Sequence, residues 1–305
     1  MKILVASSID KDALQTLEDK HNVTKAFNAN EAKLRTIICN QEVLIFRSGI
    51  SLNREILAAA KKLRLIIRAG SGLDNIDLAY LKQQDIPLKR IPGPGAVAVA
   101  EMSFALMLSL ARQIVVADTL LRKGRWAKNE LDGHLLTGKT LGIIGAGNIG
   151  TRVGGFGKAW GMNILGCVES PASINGKHFR DHGFDLVDME TVLKTSDFVS
   201  IHVPLKETTR NLISSKELSF MKDGSFLVNL ARGGVLDESA LYQYLTQPGG
   251  LAGAALDVHN QEGEGKISPL SQLTNIVLTP HIGAMTIDSQ RQIGQHILRI
   301  IAQFN

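Results

Sequence analysis

Residues 140–150 read T-L-G-I-I-G-A-G-N-I-G, and this stretch limits the fold more than any other. Thr140 to Ile144 is a short apolar run with the look of a buried parallel strand. Gly145, Gly147 and Gly150 follow at G-x-G-x-x-G spacing, and Thr151 to Trp160 is compatible with a helix. A strand turning sharply into a helix gives each glycine a distinct task. Gly145 allows the tight turn, Gly147 keeps a Cβ out of the way of a diphosphate, and Gly150 lets helix and strand pack closely. Asn148 and Ile149 lie within the glycine loop, and the N-terminus of the helix after it would face the phosphate charge. A second strand at 163–168 lies at the distance this unit requires.

Strands and helices alternate on both sides of that stretch. Before it, strands are expected at 3–6, 21–24, 43–47, 64–68 and 87–91, with helices at 12–19, 30–39, 53–62 and 77–83. After it, strands are expected at 163–168, 198–203, 225–230, 251–258 and 275–278, which with 141–144 makes six. Such alternation implies parallel sheets covered by helices. Pro92-Gly93-Pro94-Gly95 is a breaker and a hinge candidate. It leads into 97–123, one long helix or two broken ones, apolar on nearly all sides at 104–111. The amphipathic segment 286–303 is free to return to the first unit. The expected division is 1–93 with 285–305 around an inserted 94–284.

A length of 305 residues suits two domains. The composition, 44% hydrophobic and 21% charged, is that of a soluble globular protein. The formal net charge of +5 comes from scattered Lys and Arg with no basic block, which argues against nucleic acid and suits a small anionic ligand. No apolar run approaches the roughly 18 residues of a membrane span. Cys39 and Cys167 have no C-x-x-C partner, as in a reduced cytoplasmic protein. His178 and His182 lie four apart without a third ligand nearby, so no metal is expected.

Ligands of open α/β sheets bind beyond the carboxyl ends of the strands. Arg232 follows one expected strand, Asp257 and Glu262 the next, and His281 the last. Singly, each has a plain structural explanation; together, at one sheet edge beside a glycine turn, they form a matched set. Reduction of a 2-keto acid needs a proton donor titrating near neutrality, which histidine supplies. It needs a carboxylate to orient the imidazole and a fixed guanidinium for the substrate's own carboxylate.

The strings R-A-G-S-G-L-D-N-I-D (68–77), A-V-A-E (98–101), G-K-T-L-G-I-I-G-A-G-N-I-G (138–150), H-V-P-L (202–205), N-L-A-R-G-G-V-L-D-E (229–238), G-A-A-L-D-V (253–258) and T-P-H-I-G-A (279–284) resemble the D-isomer-specific 2-hydroxyacid dehydrogenases. They run in order over almost the whole chain. R-K-G-R-W-A-K-N-E (122–130) and Arg47-Ser48 point to the short D-3-phosphoglycerate dehydrogenases within that family. The resemblance implies a Rossmann-type doubly wound parallel sheet inserted into a smaller flavodoxin-like α/β domain. It implies catalysis by His281, Glu262 and Arg232. Ser71, Gly72, Arg47, Ser48, Arg232 and His281 are implied at the substrate. A cofactor, NAD with NADP not excluded, is implied at Ser71, the glycine loop, Val168, Glu169, Val203, Leu230, Ala231, Arg232, Asp257, His281, Gly283 and Ala284. It also implies a homodimer through 97–130, where Trp126 lies.

Several positions depart from the family pattern. The ribose-binding aspartate falls at Val168, followed by Glu169, with no arginine in 168–173, which favours NAD. His259 replaces the usual phenylalanine after Asp-Val, and Gly263 the usual proline after the glutamate. Gly154, Gly155 and Gly157 are unusual inside a helix. Oxidation of 3-phosphoglycerate is the expected activity. Reduction of glyoxylate, hydroxypyruvate or another 2-keto acid is the alternative. A dimeric NAD(H)-sensing binding protein is the alternative from another class.

Overall fold

In the computed structural model, residues 1–27, 29–47 and 49–304 are described. Two compact units form: Met1–Ala98 with the chain from Ala284 onward, and Val99–Gly283. The first unit contains β1 (Lys2–Val5), α1 (Lys11–Lys20), β2 (Asn22–Lys25), α2 (Glu31–Ile38), β3 (Val43–Phe46), α3 (Arg54–Ala59), β4 (Leu65–Arg68), α4 (Leu78–Gln83) and β5 (Leu88–Arg90). Its sheet is parallel in the order β2-β1-β3-β4-β5, the flavodoxin-like order expected. Each helix starts where a side chain can cap it. Asp10, Asn30, Asn53 and Asp77 each accept the backbone N–H three residues on.

The helix α5 (Gly93–Ala111) corrects two expectations. The Pro-Gly-Pro-Gly run is not a free hinge, because 93–95 are its first residues. Proline costs nothing in a first turn, where its missing N–H has no helical partner. The helix is also long and apolar enough, by length and composition, to cross a bilayer, with a mean hydropathy of 1.6. Half of that window is buried inside the protein, as for a core helix. Gln113, left-handed at φ 50°, separates α5 from α6 (Ile114–Arg122), so the long segment is two helices.

The second unit continues with β6 (Thr140–Ile144), α7 (Asn148–Ala159), β7 (Asn163–Cys167), α8 (Ile174–Asp181), β8 (Asp185–Leu186), α9 (Met189–Thr195) and β9 (Phe198–Ile201). It closes with α10 (Ser215–Leu218), β10 (Phe226–Asn229), α11 (Glu238–Thr246), β11 (Gly253–Leu256) and β12 (Ile276–Leu278). Its parallel sheet has seven strands, not six, in the order β12-β11-β10-β9-β6-β7-β8. The extra one is a two-residue edge strand, Asp185–Leu186, too short and too polar to show a period. The order reverses at β6, which places the glycine turn at the switch point of the sheet.

Helix α12 (Ile287–Phe304) belongs to the first unit. Ile293, Ile297 and Ile301, spaced to share one face, are buried with Ile3, Val5, Val43, Ile45 and Ile67. Burying each such side chain contributes about 1.5–3 kcal/mol.

The glycines of α7 divide into two kinds. A Cβ on Gly157 would lie 2.7 Å from Ile164 and 2.9 Å from Leu141, and one on Gly154 would lie 2.8 Å from Phe184. These two let the helix lie close on β6 and β7. Gly155 has nothing within 4 Å, and nothing in the structure explains it. Gly155→Ala is therefore expected to stabilise the fold by up to about 1 kcal/mol. Gly157→Ala is expected to cost about 1–3 kcal/mol through overpacking. Urea denaturation of both variants checks the contrast, and equal effects would contradict it.

Candidate active site

The glycine loop has the shape its spacing predicts. Gly145 is left-handed at φ +98°, and a Cβ there would lie 2.8 Å from the His202 backbone. A Cβ on Gly150 would overlap the Gly145 carbonyl, so these two glycines are required by the protein itself. Gly147 is different. Its φ of −83° and ψ of −160° suit any residue, and an added Cβ would meet nothing nearer than Asn175 Nδ2 at 4.0 Å. No side chain caps the first turn of α7 at this point, so its amides remain available to an anion. A glycine that the surrounding protein does not require, at the mouth of an uncapped helix, fits a ligand that approaches the backbone closely.

Such a ligand has room. A cavity of about 920 Å³ is lined by Gly145, Gly147, Val168, Glu169, Ser173, Asp188, His202 and Val203, among others. That volume suits a large part of a dinucleotide. Asn148, Ile149 and Gly150 are the first residues of α7. His202 keeps some surface, but its Nδ1 is buried without a partner among the described residues and its Nε2 lies 2.8 Å from Ser200 Oγ. Burial pushes the imidazole down to about 3, so it stays neutral at working pH. Cys167, on the same wall, is pushed up to about 11 by burial and remains a thiol.

The expected catalytic residues lie at the carboxyl edge of this sheet. His281 Nδ1 is 2.9 Å from Glu262 Oε2 and 3.1 Å from Oε1. An ionised carboxylate only accepts, so Nδ1 carries the hydrogen and Nε2 is left as the exchanging nitrogen. Burial alone would raise the Glu262 carboxyl. The His281 hydrogen bond, the His281 charge and the His259 N–H outweigh it, leaving Glu262 below the usual carboxylate range. Arg232 is half-buried and follows β10, with Nη1 donating to the Ala231 carbonyl at 2.7 Å.

Hydrogen bonds join the three loops that carry this set. Asn260 Oδ1 accepts the Gly234 N–H, tying the Glu262 loop to the Arg232 loop at 2.6 Å. His259 Nε2 lies 2.9 Å from the Thr279 carbonyl, tying the Glu262 loop to the His281 loop. Asn229, almost fully buried, accepts from Ala231 N and donates to the Arg232 carbonyl, which shapes the turn that presents Arg232. Asp257 is 2% exposed and its carboxylate accepts from Thr279 Oγ1, Ile282 N and Gly283 N at 2.6–2.9 Å. Asp257, which the resemblance implies at the cofactor, thus holds the His281 loop through its carboxylate. His281 itself is left-handed at φ 55°, with its N–H donated to the Asp257 carbonyl. Sequence reasoning missed Asn229, Asn260 and Thr279, whose tasks depend on partners remote in the chain.

Leu230 and Ala231 are buried directly after β10, and a Cβ on Gly283 would lie 3.5 Å from Leu230. In the first unit, Ser71 and Gly72 follow β4, where their carbonyls accept from Arg90 and Arg68. Arg47 follows β3 and is 9% exposed. Its Nη2 donates to the Ala284 carbonyl at 3.4 Å, and its Nη1 has no partner among the described residues. Burial lowers its guanidinium from the ordinary value. Ser48 lies outside the described residues. Trp126 is 78% exposed. The His178 and His182 rings meet edge to face at 4.4 Å, and no metal-ligand cluster occurs among the described residues.

A family model for the D-isomer specific 2-hydroxyacid dehydrogenase, NAD binding domain, matches residues 104–283. The chain is 40% identical to the hydroxypyruvate reductase of Thermotoga maritima over 303 residues, 98% of this chain and 97% of that protein. It is 39% identical to the D-3-phosphoglycerate dehydrogenase of Methanocaldococcus jannaschii over 295 residues, 96% of this chain but 55% of that protein. It therefore spans about half the length of that relative. The structure of the D-lactate dehydrogenase of Aquifex aeolicus, complexed with NAD and lactic acid, has a TM-score of 0.87 at 27% identity, covering 100% of this chain and 95% of that one. With the glycine turn at the switch point of a seven-stranded sheet and the histidine–glutamate pair on its carboxyl edge, these matches place the chain in the family of D-isomer specific 2-hydroxyacid dehydrogenases.

Proposed function

We propose that this chain interconverts a D-2-hydroxy acid and its 2-keto acid, with D-3-phosphoglycerate as the substrate the site suits best. The observation that carries the reaction is the His281–Glu262 pair, which leaves Nε2 as the atom exchanging a proton with the substrate oxygen. A bound nicotinamide dinucleotide supplies or accepts the hydride. In reduction, His281 gives its Nε2 proton to the forming hydroxyl, and Glu262 stabilises the charged imidazole before that transfer. Arg232 binds the substrate carboxylate and polarises the carbonyl.

Arg47 supports a phosphorylated substrate. It is a buried guanidinium with one unpartnered nitrogen and no acidic neighbour among the described residues. A buried cation without a counter-charge is costly, so it suits a ligand that brings the anion. Hydroxypyruvate is the second reading, favoured by the full-length match to a hydroxypyruvate reductase. Steady-state rates read by NADH absorbance separate the two. Phosphoglycerate or its keto acid is expected to show the higher kcat/KM, falling about tenfold or more in Arg47→Ala. No turnover of either phosphorylated compound, with good turnover of hydroxypyruvate, would sink the narrower reading. A homodimer through 97–130 is supported by the exposed apolar side chains of Ile114, Val115, Leu121 and Trp126.

A further inference from the structure

The adenosine side of the large cavity lacks the fixed acid that usually reads a ribose diol. At the end of β7, where that acid belongs, stands Val168, half-buried and uncharged. The next residue, Glu169, has a carboxylate, but its side chain is 75% exposed and only loosely paired with Lys206, at 3.6 Å. An exposed ion pair at that distance holds neither partner firmly.

Two cations line the same wall, and both come from parts of the chain outside the 168–173 window. Lys206 arrives from the loop after β9, and Arg180 from the last turn of α8. Arg180 Nη1 donates to the Pro171 carbonyl at 3.0 Å, which fixes its guanidinium beside the loop that follows β7. Of the acids on this wall, Asp188 is already used. Its two oxygens accept from Thr191 N and Thr191 Oγ1 as the cap of α9. Glu169 is the acid left to oppose an incoming phosphate, and its exposure allows it to turn into water.

A 2′-phosphate adds close to two negative charges at this point. An aspartate at 168 would repel it; a valine does not. Lys206, released from Glu169, gains a stronger partner, and Arg180 offers the fork that binds phosphate in two places. We propose that this cavity admits a 2′-phosphate, with Lys206 and Arg180 as its counter-ions. The chain would then bind 2′-phosphorylated and unphosphorylated nicotinamide dinucleotides with comparable affinity. The proposal rests on the dinucleotide reading of the same cavity.

The test is direct titration without substrate, following the fluorescence of NADH and NADPH as each binds the 305-residue chain. In the natural chain, NADPH is expected to bind no more than about tenfold more weakly than NADH. Lys206→Ala is expected to weaken NADPH about tenfold, the loss of one charge-assisted contact, and to leave NADH unchanged. Val168→Asp is expected to weaken NADPH by about tenfold or more and to leave NADH as tight or tighter. Added salt is expected to weaken NADPH more than NADH. A natural chain that binds NADH more than about tenfold tighter than NADPH overturns the proposal alone, as does a Lys206→Ala variant that weakens both equally. Failure of both dinucleotides to bind would bring down the cavity assignment itself, and the proposal with it.

Discussion

Replacing His281 with alanine is expected to lower keto-acid reduction by about 100- to 10,000-fold, the usual worth of a positioned acid or base. The affinity for the dinucleotide should stay as it was, since the glycine loop is untouched. Because residue 281 is left-handed, alanine there adds backbone strain that histidine shares only in part. His281→Asn is the matched control: asparagine tolerates that conformation but cannot transfer the proton. Both variants should lose turnover alike, by stopped-flow or steady-state absorbance. Retention of turnover in His281→Asn would remove the histidine from the reaction. A protein that only senses the dinucleotide would have little turnover to lose. Glu262→Gln keeps an acceptor for Nδ1 but removes the charge, so it should fall between the natural chain and His281→Ala.

The pH dependence follows from the lowered Glu262 carboxyl. A depressed acid stays ionised above its folded value and is lost only as pH falls through that value. The charged pair should therefore persist below the ordinary glutamate range, and its contribution to rate should fade only in more acid solution. In Glu262→Gln that acid limb should be missing from the kcat profile.

Gly147→Ala is the second large effect expected. One methyl at this position meets only Asn175 Nδ2, at an unstrained 4.0 Å, and the backbone there is ordinary. Folding stability should be unchanged or raised by about 0.4–1 kcal/mol. The dinucleotide, however, should lose one or two charge-assisted hydrogen bonds to the loop, roughly a 10- to 100-fold fall in affinity. Calorimetric titration together with thermal unfolding reads both quantities. Normal affinity in Gly147→Ala would mean that no ligand approaches the loop closely. Gly150→Ala behaves oppositely, damaging the fold itself, because its Cβ would overlap the Gly145 carbonyl.

Periodicity and strand-end position made the main features legible in the sequence. The parallel alternation, the glycine turn and the placement of Arg232, Glu262 and His281 at one edge follow from local patterns, while the order of the two sheets came from the resemblance. What stayed hidden depends on distance along the chain. Asp185–Leu186 pairs only because β7 offers it a free edge. Pro94 reads as a breaker until one sees that it sits in a first turn. The task of Asp257 is set by amides about 25 residues later. Lys206 and Arg180 fall outside any local window around Val168, yet they reach the same cavity.

The return of α12 to the first unit has a consequence for synthesis. Ile3 and Val5 are synthesised before the second unit, whereas Ile293, Ile297 and Ile301, which cover them, come after it. The whole of Val99–Gly283 is translated in between. The later-emerging unit can therefore finish folding first, while the amino-terminal strands wait with one apolar face open. Any stall before α12 emerges leaves that face uncovered, so the nascent chain stays aggregation-prone until residues 287–304 have been made.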